Sequence, residues 1–230
     1  MGKSSLNNSV AKQMAGRAAA NLIENGMIVG LGTGSTANYF IDSLILRCKE
    51  GLKIKAIATS KQSYIRAQNG GIPLIDINDI SILDVTVDGA DQIDSQKQMI
   101  KGAGGALLCE KIIASSSREM IVVIDESKLV KTLGNQLLPV EIVTFGFKAT
   151  MRKLELLGLS GILRMSDSST PFTTDMGNFI VDIQLPTPIR DLEVLNQQIL
   201  AIPGVIETGF FFNIAGRVII GKNDGSYQLF

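Results

Sequence analysis

The sequence predicts an α/β protein: a parallel sheet covered by helices on both faces, followed by a small α+β unit. Three features predict it. Short apolar runs alternate with helical spacings over residues 27–127, the pattern of parallel strands joined by crossover helices. Four of these runs end in glycine or polar residues, "GLGTGST", "ATS", "VDGAD" and "IDESK". The loops after Gly32, Thr59, Val87 and Asp125 therefore fall at the carboxyl ends of strands, where such sheets bind ligands. After about residue 134 the order changes to strand, helix, strand, strand, helix, strand, a split α+β arrangement.

Each element has its own signal. Residues 6–24 show Ala-rich helical spacing with Val10, Met14, Ala18 and Leu22 on one face, closed by Gly26. "MIVGLG" (27–32) is an apolar strand, and "GTGSTANYFIDSLI" runs from a glycine turn into a helix. "KIKAIAT" (53–59) reads as a strand, "KQSYIRAQNG" as a helix closed by Gly70–Gly71, and "IPLIDI" as a further strand. "LDVTVDGA" is a strand and turn, "GGALLCEKIIASSS" a helix, and "MIVVIDES" (120–127) a buried strand. The second unit reads "LPVEIVTF", "ATMRKLELLG", "GILRMS", "NFIVDIQL", "LEVLNQQILAIPG" and "VIETGFF". "RVIIG" (217–221) is a last strand returning to the main sheet. The expected domains are residues 1–133 with 207–230, a Rossmann-like catalytic domain, and 134–206, a small ferredoxin-like lid or oligomerisation domain.

Composition excludes several classes. A chain of 230 residues can bury a core for one large domain or a main domain with a smaller one. Lys plus Arg and Asp plus Glu both number 22, so no net field favours nucleic acid or membrane. The pairs Lys53/Lys55 and Arg152/Lys153 read as solvated faces. Cys48 and Cys109 share no metal-ligand spacing and are expected as thiols in a cytoplasmic protein. No run reaches the roughly 18 apolar residues a transmembrane helix needs, and the N-terminus lacks a secretion-signal pattern. "MGKSSL" formally resembles a myristoylation start, discounted because a helix is expected to begin at once and nothing else suggests a membrane. There is no histidine. That removes Ser/His and Cys/His catalysis and the usual zinc site. Acid–base chemistry must use Asp, Glu, Lys, Tyr or Cys.

Four clusters can carry such chemistry. In "GLGTGST" a glycine turn exposes N–H groups at a positive helix end, with Thr33, Ser35 and Thr36 adding hydroxyls. That suits a phosphate; a plain tight turn with an N-cap is the bland reading. Neither the Gly-x-Gly-x-x-Gly dinucleotide pattern nor the Walker lysine is present. In "DGAD", a turn at Gly89 brings Asp88 and Asp91 into range of each other for acid–base work. An Asx-turn or a divalent-metal site fits the same spacing. Asp94 reads as surface.

In "KGAGGALLCEK", glycines admit a substrate close to the backbone, and Lys101 with nearby N–H groups suits a developing oxyanion. Glu110 has Ala114 at i+4, so no helical ion pair accounts for it. It is a candidate carbon base or an ordinary solvated glutamate. Lys128 falls on the same strand-end rim, as a phosphate or carboxylate ligand or a surface lysine. Cys109 reads as a small helix residue, and Phe210–Phe212 as core, since base stacking has no charge support.

Taken together, "VGLGTGSTA", Thr59–Ser60, "VDGADQID", "KGAGGALLCEKI", "ESK" (126–128), "LPVEI" (138–142) and "IPGVIETGFF" resemble ribose-5-phosphate isomerase, type A. The resemblance implies three substrate-binding loops: Thr33, Gly34, Ser35 and Thr36; Asp88, Gly89, Ala90 and Asp91; Lys101, Gly102, Ala103 and Gly104. It implies Glu110 as the catalytic base, assisted by Asp88, Asp91 and Lys101, and Lys128 as a further substrate ligand. It also implies interconversion of ribose 5-phosphate and ribulose 5-phosphate with no organic cofactor and no metal, in a homodimer or homotetramer. Ala103 stands where a third glycine is common, Cys109 where a basic residue is expected, and "NIAGRVIIG" lacks an Asp often found there.

Other readings remain. A sugar-phosphate sensor of the same fold would carry a DNA-binding module, and about 26 residues before the first strand are too few for one. A deaminase or lactonase relative would rely on histidine. A Mg²⁺-dependent phosphatase built on Asp88 and Asp91 would lose activity to a chelator.

Overall fold

The structure, a computed structural model, describes residues 2–134, 136–185 and 191–230. Met1 of the "MGKSSL" start lies outside them, as do Asn135 and residues 186–190 of the expected second domain.

From the N-terminus the elements run α1 (Gly2–Ala20), β1 (Ile28–Leu31), α2 (Ser35–Lys49), β2 (Lys55–Ala58), α3 (Lys61–Asn69) and β3 (Val85–Asp88). Then come β4 (Gln92–Ile93), β5 (Met99–Ile100), α4 (Leu107–Ser115) and β6 (Met120–Asp125). They are followed by β7 (Leu138–Ile142), α5 (Phe147–Leu156), β8 (Gly161–Leu163), β9 (Phe179–Ile183), α6 (Leu192–Leu200) and β10 (Val205–Thr208). The chain closes with β11 (Phe210–Phe211), β12 (Ala215–Gly221) and β13 (Tyr227–Leu229).

These elements form two units. The first takes Met1–Ala90, Cys109–Leu129 and Asn213–Phe230; the second takes Asp91–Leu108 and Val130–Phe212. Relative to the expected boundaries, residues 91–108, 130–133 and 207–212 join the second unit; β5 pairs there with β4 and with β11.

The first unit holds a six-stranded sheet in the order β13-β12-β6-β3-β1-β2. All neighbours are parallel except β13, which pairs antiparallel with β12. This is the expected Rossmann-like sheet, and "RVIIG" does return to it. Consecutive residues of β2 enter different apolar clusters. Ala56 packs with Ala15, Phe40 and Ala67 of the helices α1, α2 and α3, while Ile57 packs with Leu83 and with Ile113 of α4. Since neighbouring strand residues point to opposite faces, both faces of the sheet are covered. That explains why every residue of "MIVVID" in β6 is buried.

The second unit has a four-stranded antiparallel sheet, β10-β7-β9-β8. With α5 and α6 it gives β7-α5-β8-β9-α6-β10, the ferredoxin-like order. A three-stranded sheet, β11-β5-β4, is added to it. Its own core includes Leu138, Val140, Leu154, Val181, Ile199 and Phe210.

Three local expectations differ. The buried face of α1 carries Ala11, Ala15, Ala18 and Ala19, whereas Val10 is 39% exposed. Neighbouring backbone comes too close for larger side chains. A Cβ on Gly16 would sit 2.5 Å from the Phe40 nitrogen, and one on Gly221 would sit 1.8 Å from the Ala11 carbonyl oxygen. "IPLIDI" forms only a single bridge, Leu74 to Ala56, because Pro73 has no N–H to extend a ladder. "VIETGFF" is two strands, β10 and β11, in different sheets.

Candidate active site

In the first unit, parallel register brings the strand ends into line. Leu31 is opposite both Ala58 and Val87, and Asp88 is opposite Val122. The loops after Gly32, Thr59, Val87 and Asp125 therefore share one rim, as the sequence predicts.

Asp88 ends β3 and is fully buried. Its Oδ1 accepts the N–H of Thr33 at 3.0 Å and of Gly89 at 2.7 Å. Gly32 leaves room for this carboxylate: a Cβ there would lie 2.2 Å from Oδ1. The second loop is thus seated on the first.

Thr33 is engaged twice. Its N–H serves Asp88, and its Oγ1 donates to Ser60 Oγ at 2.8 Å and lies 2.7 Å from Thr59 Oγ1. Ser63 Oγ donates to the Gly32 carbonyl at 2.6 Å and Thr59 Oγ1 to the Leu31 carbonyl at 3.0 Å. Ser60 also caps α3 through Ser63 N–H. This hydroxyl cluster ties the glycine turn to the start of α3.

The next residues face differently. α2 begins at Ser35, with Gly34 at its N-cap in a φ 110°, ψ 177° conformation and no side-chain cap. That backbone region is essentially reserved for glycine. The first N–H groups of a 15-residue helix are thus left for an anion, which the helix dipole favours. Lys12 of α1 donates from Nζ to Ser35 Oγ at 3.0 Å, adding a full positive charge. Thr36 is buried beside Ser35. The sequence reading missed Lys12, because 23 residues and a strand separate it from Ser35.

Glu110 occupies the first turn of α4 and is 4% exposed, so the solvated-glutamate reading does not hold. Three residues on, Ile113 is buried against Ile57 and Leu83, which fixes that helix on the sheet. Lys128 is half-buried at the end of a short 3-10 helix, Glu126–Lys128, whose N-cap Asp125 accepts the Ser127 N–H at 3.0 Å.

The remaining candidate residues lie in the second unit. Lys101 is 3% exposed; its Nζ lies 5.4 Å from the Phe211 ring centroid and its N–H donates to Gly209 at 2.8 Å. Gly102 has φ 104°, and a Cβ there would lie 2.8 Å from Leu107. Asp91 accepts the Ala103 N–H on Oδ2 at 2.9 Å. A cavity of about 490 Å³ opens on Asp91 and Ala103, with Arg164 and Asp182 in its wall. Ala103 and Gly104 are exposed at the turn. Asp94 closes the β4–β5 hairpin by accepting the Gln96 and Gln98 N–H groups, an Asx-type turn.

Glu141, in "LPVEI", was not singled out from the sequence. It is 1% exposed and accepts from Thr174 Oγ1 and Asn178 Nδ2, both at 2.9 Å, and from the Leu108 N–H at the start of α4. Burial pushes its carboxyl above the usual range, and nearby Glu207 adds to this, while the hydrogen bonds oppose it. Phe210 and Phe211 are core residues, as expected. Cys48 and Cys109 form no disulfide. Among the described residues no group of three or more His, Cys, Asp or Glu side chains gathers as a metal cluster, and no helix is long and apolar enough to cross a membrane.

A helix start with a lysine beside it suits a phosphate. Two buried carboxylates and a buried lysine are the groups that proton transfer on a carbon skeleton needs. The class so defined is a phosphosugar isomerase of α/β fold. Comparison with known proteins agrees. Residues 55–225 match the model of ribose 5-phosphate isomerase A (phosphoriboisomerase A). The ribose-5-phosphate isomerase A of Protochlamydia amoebophila is 51% identical over 219 residues, 95% of this chain and 94% of that protein. The solved ribose 5-phosphate isomerase A of Methanocaldococcus jannaschii gives a TM-score of 0.91 at 34% identity, covering 97% of this chain and 99% of the other. A D-ribose-5-phosphate isomerase in complex with phospho-erythronic acid gives 0.90 at 36% identity, covering 100% and 99%. This chain belongs to the ribose 5-phosphate isomerase A family.

Proposed function

We infer that this chain interconverts D-ribose 5-phosphate and D-ribulose 5-phosphate through an enediolate, with Glu110 as the base. Family membership over most of the chain supports the reaction. The burial of Glu110 at a helix start is the observation that carries the mechanism: a carboxylate held from bulk water can keep the proton it removes.

The open-chain aldose binds by its phosphate to the N–H groups and hydroxyls of Gly34, Ser35 and Thr36, with Lys12 and Lys128 supplying positive charge. Thr33 shapes this loop through Asp88 and the hydroxyl cluster. Glu110 takes the proton from C2, and the electron pair moves onto the C1 oxygen as the enediolate forms. Lys101 and the N–H groups of Gly102 and Gly104 stabilise that oxyanion, while the Ala103 N–H, held by Asp91, fixes the turn. Glu110 then returns the proton to C1. Asp88 moves the proton from the C2 hydroxyl to the C1 oxygen, seated by Gly89 and the adjoining Ala90. Asp91 holds the Lys101–Gly104 turn and a substrate hydroxyl. The reverse reaction uses the same steps. Match over nearly the full length of isomerases does not favour the sensor alternative.

The same reading includes a cytoplasmic homodimer or homotetramer. Exposed Phe145, Leu156 and Ile162 on the second unit, at 92%, 86% and 71%, support association with further copies.

The test is turnover of ribose 5-phosphate with EDTA present, by wild type and by Glu110→Gln. The expected result is metal-independent turnover reduced about 10²–10⁴-fold in kcat by the substitution. Near-normal kcat in a folded variant would move the base elsewhere.

A further inference from the structure

We propose that Arg164 is a positioning residue for the isomerase reaction, holding the Lys101–Gly104 turn from its carbonyl side so that the Gly104 N–H faces the substrate. The proposal rests on the reading of that turn as the oxyanion-binding segment.

The observations lie wholly in the second unit. Arg164 follows β8, and Asp182 lies on β9. The Arg164 guanidinium grips the Asp182 carboxylate with two nitrogens, Nε at 2.8 Å from Oδ2 and Nη2 on Oδ1. Both side chains are only 16% exposed. The remaining nitrogen, Nη1, donates to the carbonyls of Gly102 at 3.0 Å and Ala103 at 3.1 Å. Phe172 lies 5.7 Å from the guanidinium and against the same turn: a Cβ on Gly105 would sit 2.4 Å from its ring.

Peptide geometry gives this grip its meaning. In a planar trans peptide the C=O and the N–H point in opposite directions. The Gly102 carbonyl and the Ala103 N–H are two ends of one such group. Arg164 holds the first, and Asp91 Oδ2 accepts the second at 2.9 Å. One peptide is thereby clamped at both ends. The next peptide has its Ala103 carbonyl on Arg164 too, so the Gly104 N–H must point away from the guanidinium. Gly102, at φ 104°, and Gly104 flank these two peptides and leave them freer to flip, since glycine has few backbone restraints; the Gly105 N–H holds the Gly102 carbonyl at 3.0 Å but leaves the Ala103 carbonyl to Arg164. The clamp and that turn bond together restrict this freedom before substrate arrives, which is what a preorganised oxyanion site requires. A cation on a carbonyl oxygen also polarises the peptide and strengthens its N–H as a donor. Asp182 in turn fixes the plane of the guanidinium.

Lysine cannot reproduce this. It offers a point charge in place of a planar fork, and it cannot serve a bidentate carboxylate and two carbonyls together. Arg164→Lys is therefore the informative variant, with Asp182→Asn as its companion, since the latter keeps the guanidinium but loosens its orientation. Each would be assayed for ribose 5-phosphate turnover, for inhibition by phospho-erythronic acid, whose carboxylate stands in for the enediolate oxygens, and for inhibition by inorganic phosphate. Circular dichroism and thermal unfolding would confirm the folded state. We expect kcat to fall about ten- to a hundredfold, as small misplacements do, with KM within about threefold. The inhibition constant for phospho-erythronic acid should rise in step with the loss of kcat, and that for phosphate should not change.

A strut with no role in catalysis would lower the unfolding temperature and leave kcat and both inhibition constants alone. That result, or failure of both variants to fold, overturns the proposal. A wild type that does not isomerise ribose 5-phosphate would instead overturn the functional reading beneath it.

Discussion

A methyl group at Gly32 would come within 2.2 Å of Asp88 Oδ1. The bare α-carbon of one strand-end loop is thus the seat of the carboxylate from the neighbouring strand. Two N–H bonds, from Thr33 and Gly89, complete that seat. The glycine is needed here for close approach, not for an unusual backbone angle.

Gly32→Ala should therefore displace Asp88 and act on the chemical step. A loss of about 10²-fold in kcat is expected from a shift near 1 Å, with overpacking lowering stability by about 1–3 kcal/mol. Gly34→Ala should behave differently. Open space surrounds that position, but its φ of 110° strains any side chain by about 1–3 kcal/mol. It should raise KM more than it lowers kcat, because it disturbs the start of α2. Steady-state kinetics of the two variants side by side would separate these effects, and equal kcat losses would contradict the assignment.

Lys12 and Ser35 make a second pair. A phosphate contact is present in ground and transition states alike, so its loss should appear in KM. Hydrogen bonds to charged groups contribute about 1.5–3 kcal/mol. Lys12→Met should then raise KM for ribose 5-phosphate by about ten- to a hundredfold, with kcat within a few-fold. Wild-type KM should rise with salt more steeply than that of the variant. A variant whose KM and salt dependence match the wild type would remove Lys12 from the phosphate site.

How far the sequence disclosed these features depended on range. The strand-end loops were legible because β1, β3 and β6 are short, largely apolar runs, broken in β3 by Thr86, that stop at glycine or aspartate. The ferredoxin-like order was legible from the succession of strand and helix patterns after residue 134. Contacts between distant segments left no local trace. Nothing near Arg164 signals two carbonyls some 60 residues earlier, and nothing near Lys12 signals Ser35. The α1 face was misjudged because close backbone approach selects alanine, whereas a search for large apolar residues finds the outer stripe. Glu141 looked like one polar residue in a strand, and only the fold shows that it meets the Leu108 N–H.

Glu141 also gives a pH prediction. Its carboxyl is raised above the ordinary value of 4.5, first by burial and then by nearby Glu207, with three hydrogen bonds acting the other way. A raised carboxyl holds its proton more tightly in the folded chain than in the unfolded one. Between the ordinary value and the raised one, the unfolded state therefore binds fewer protons, and stability must fall as pH rises. This is the reverse of a salt-bridged carboxylate. Every tenfold gain in proton affinity on folding corresponds to about 1.4 kcal/mol. Glu141→Gln cannot titrate, and it keeps an acceptor for the Leu108 N–H, one of the unpaired donors of a helix start. Urea unfolding of both proteins from mildly acid to neutral pH should show wild type losing ground to the variant as pH rises, with the difference levelling above the raised value. A difference that instead moved in favour of wild type with rising pH would mean that the buried carboxylate is held as an anion, with its hydrogen bonds outweighing its burial.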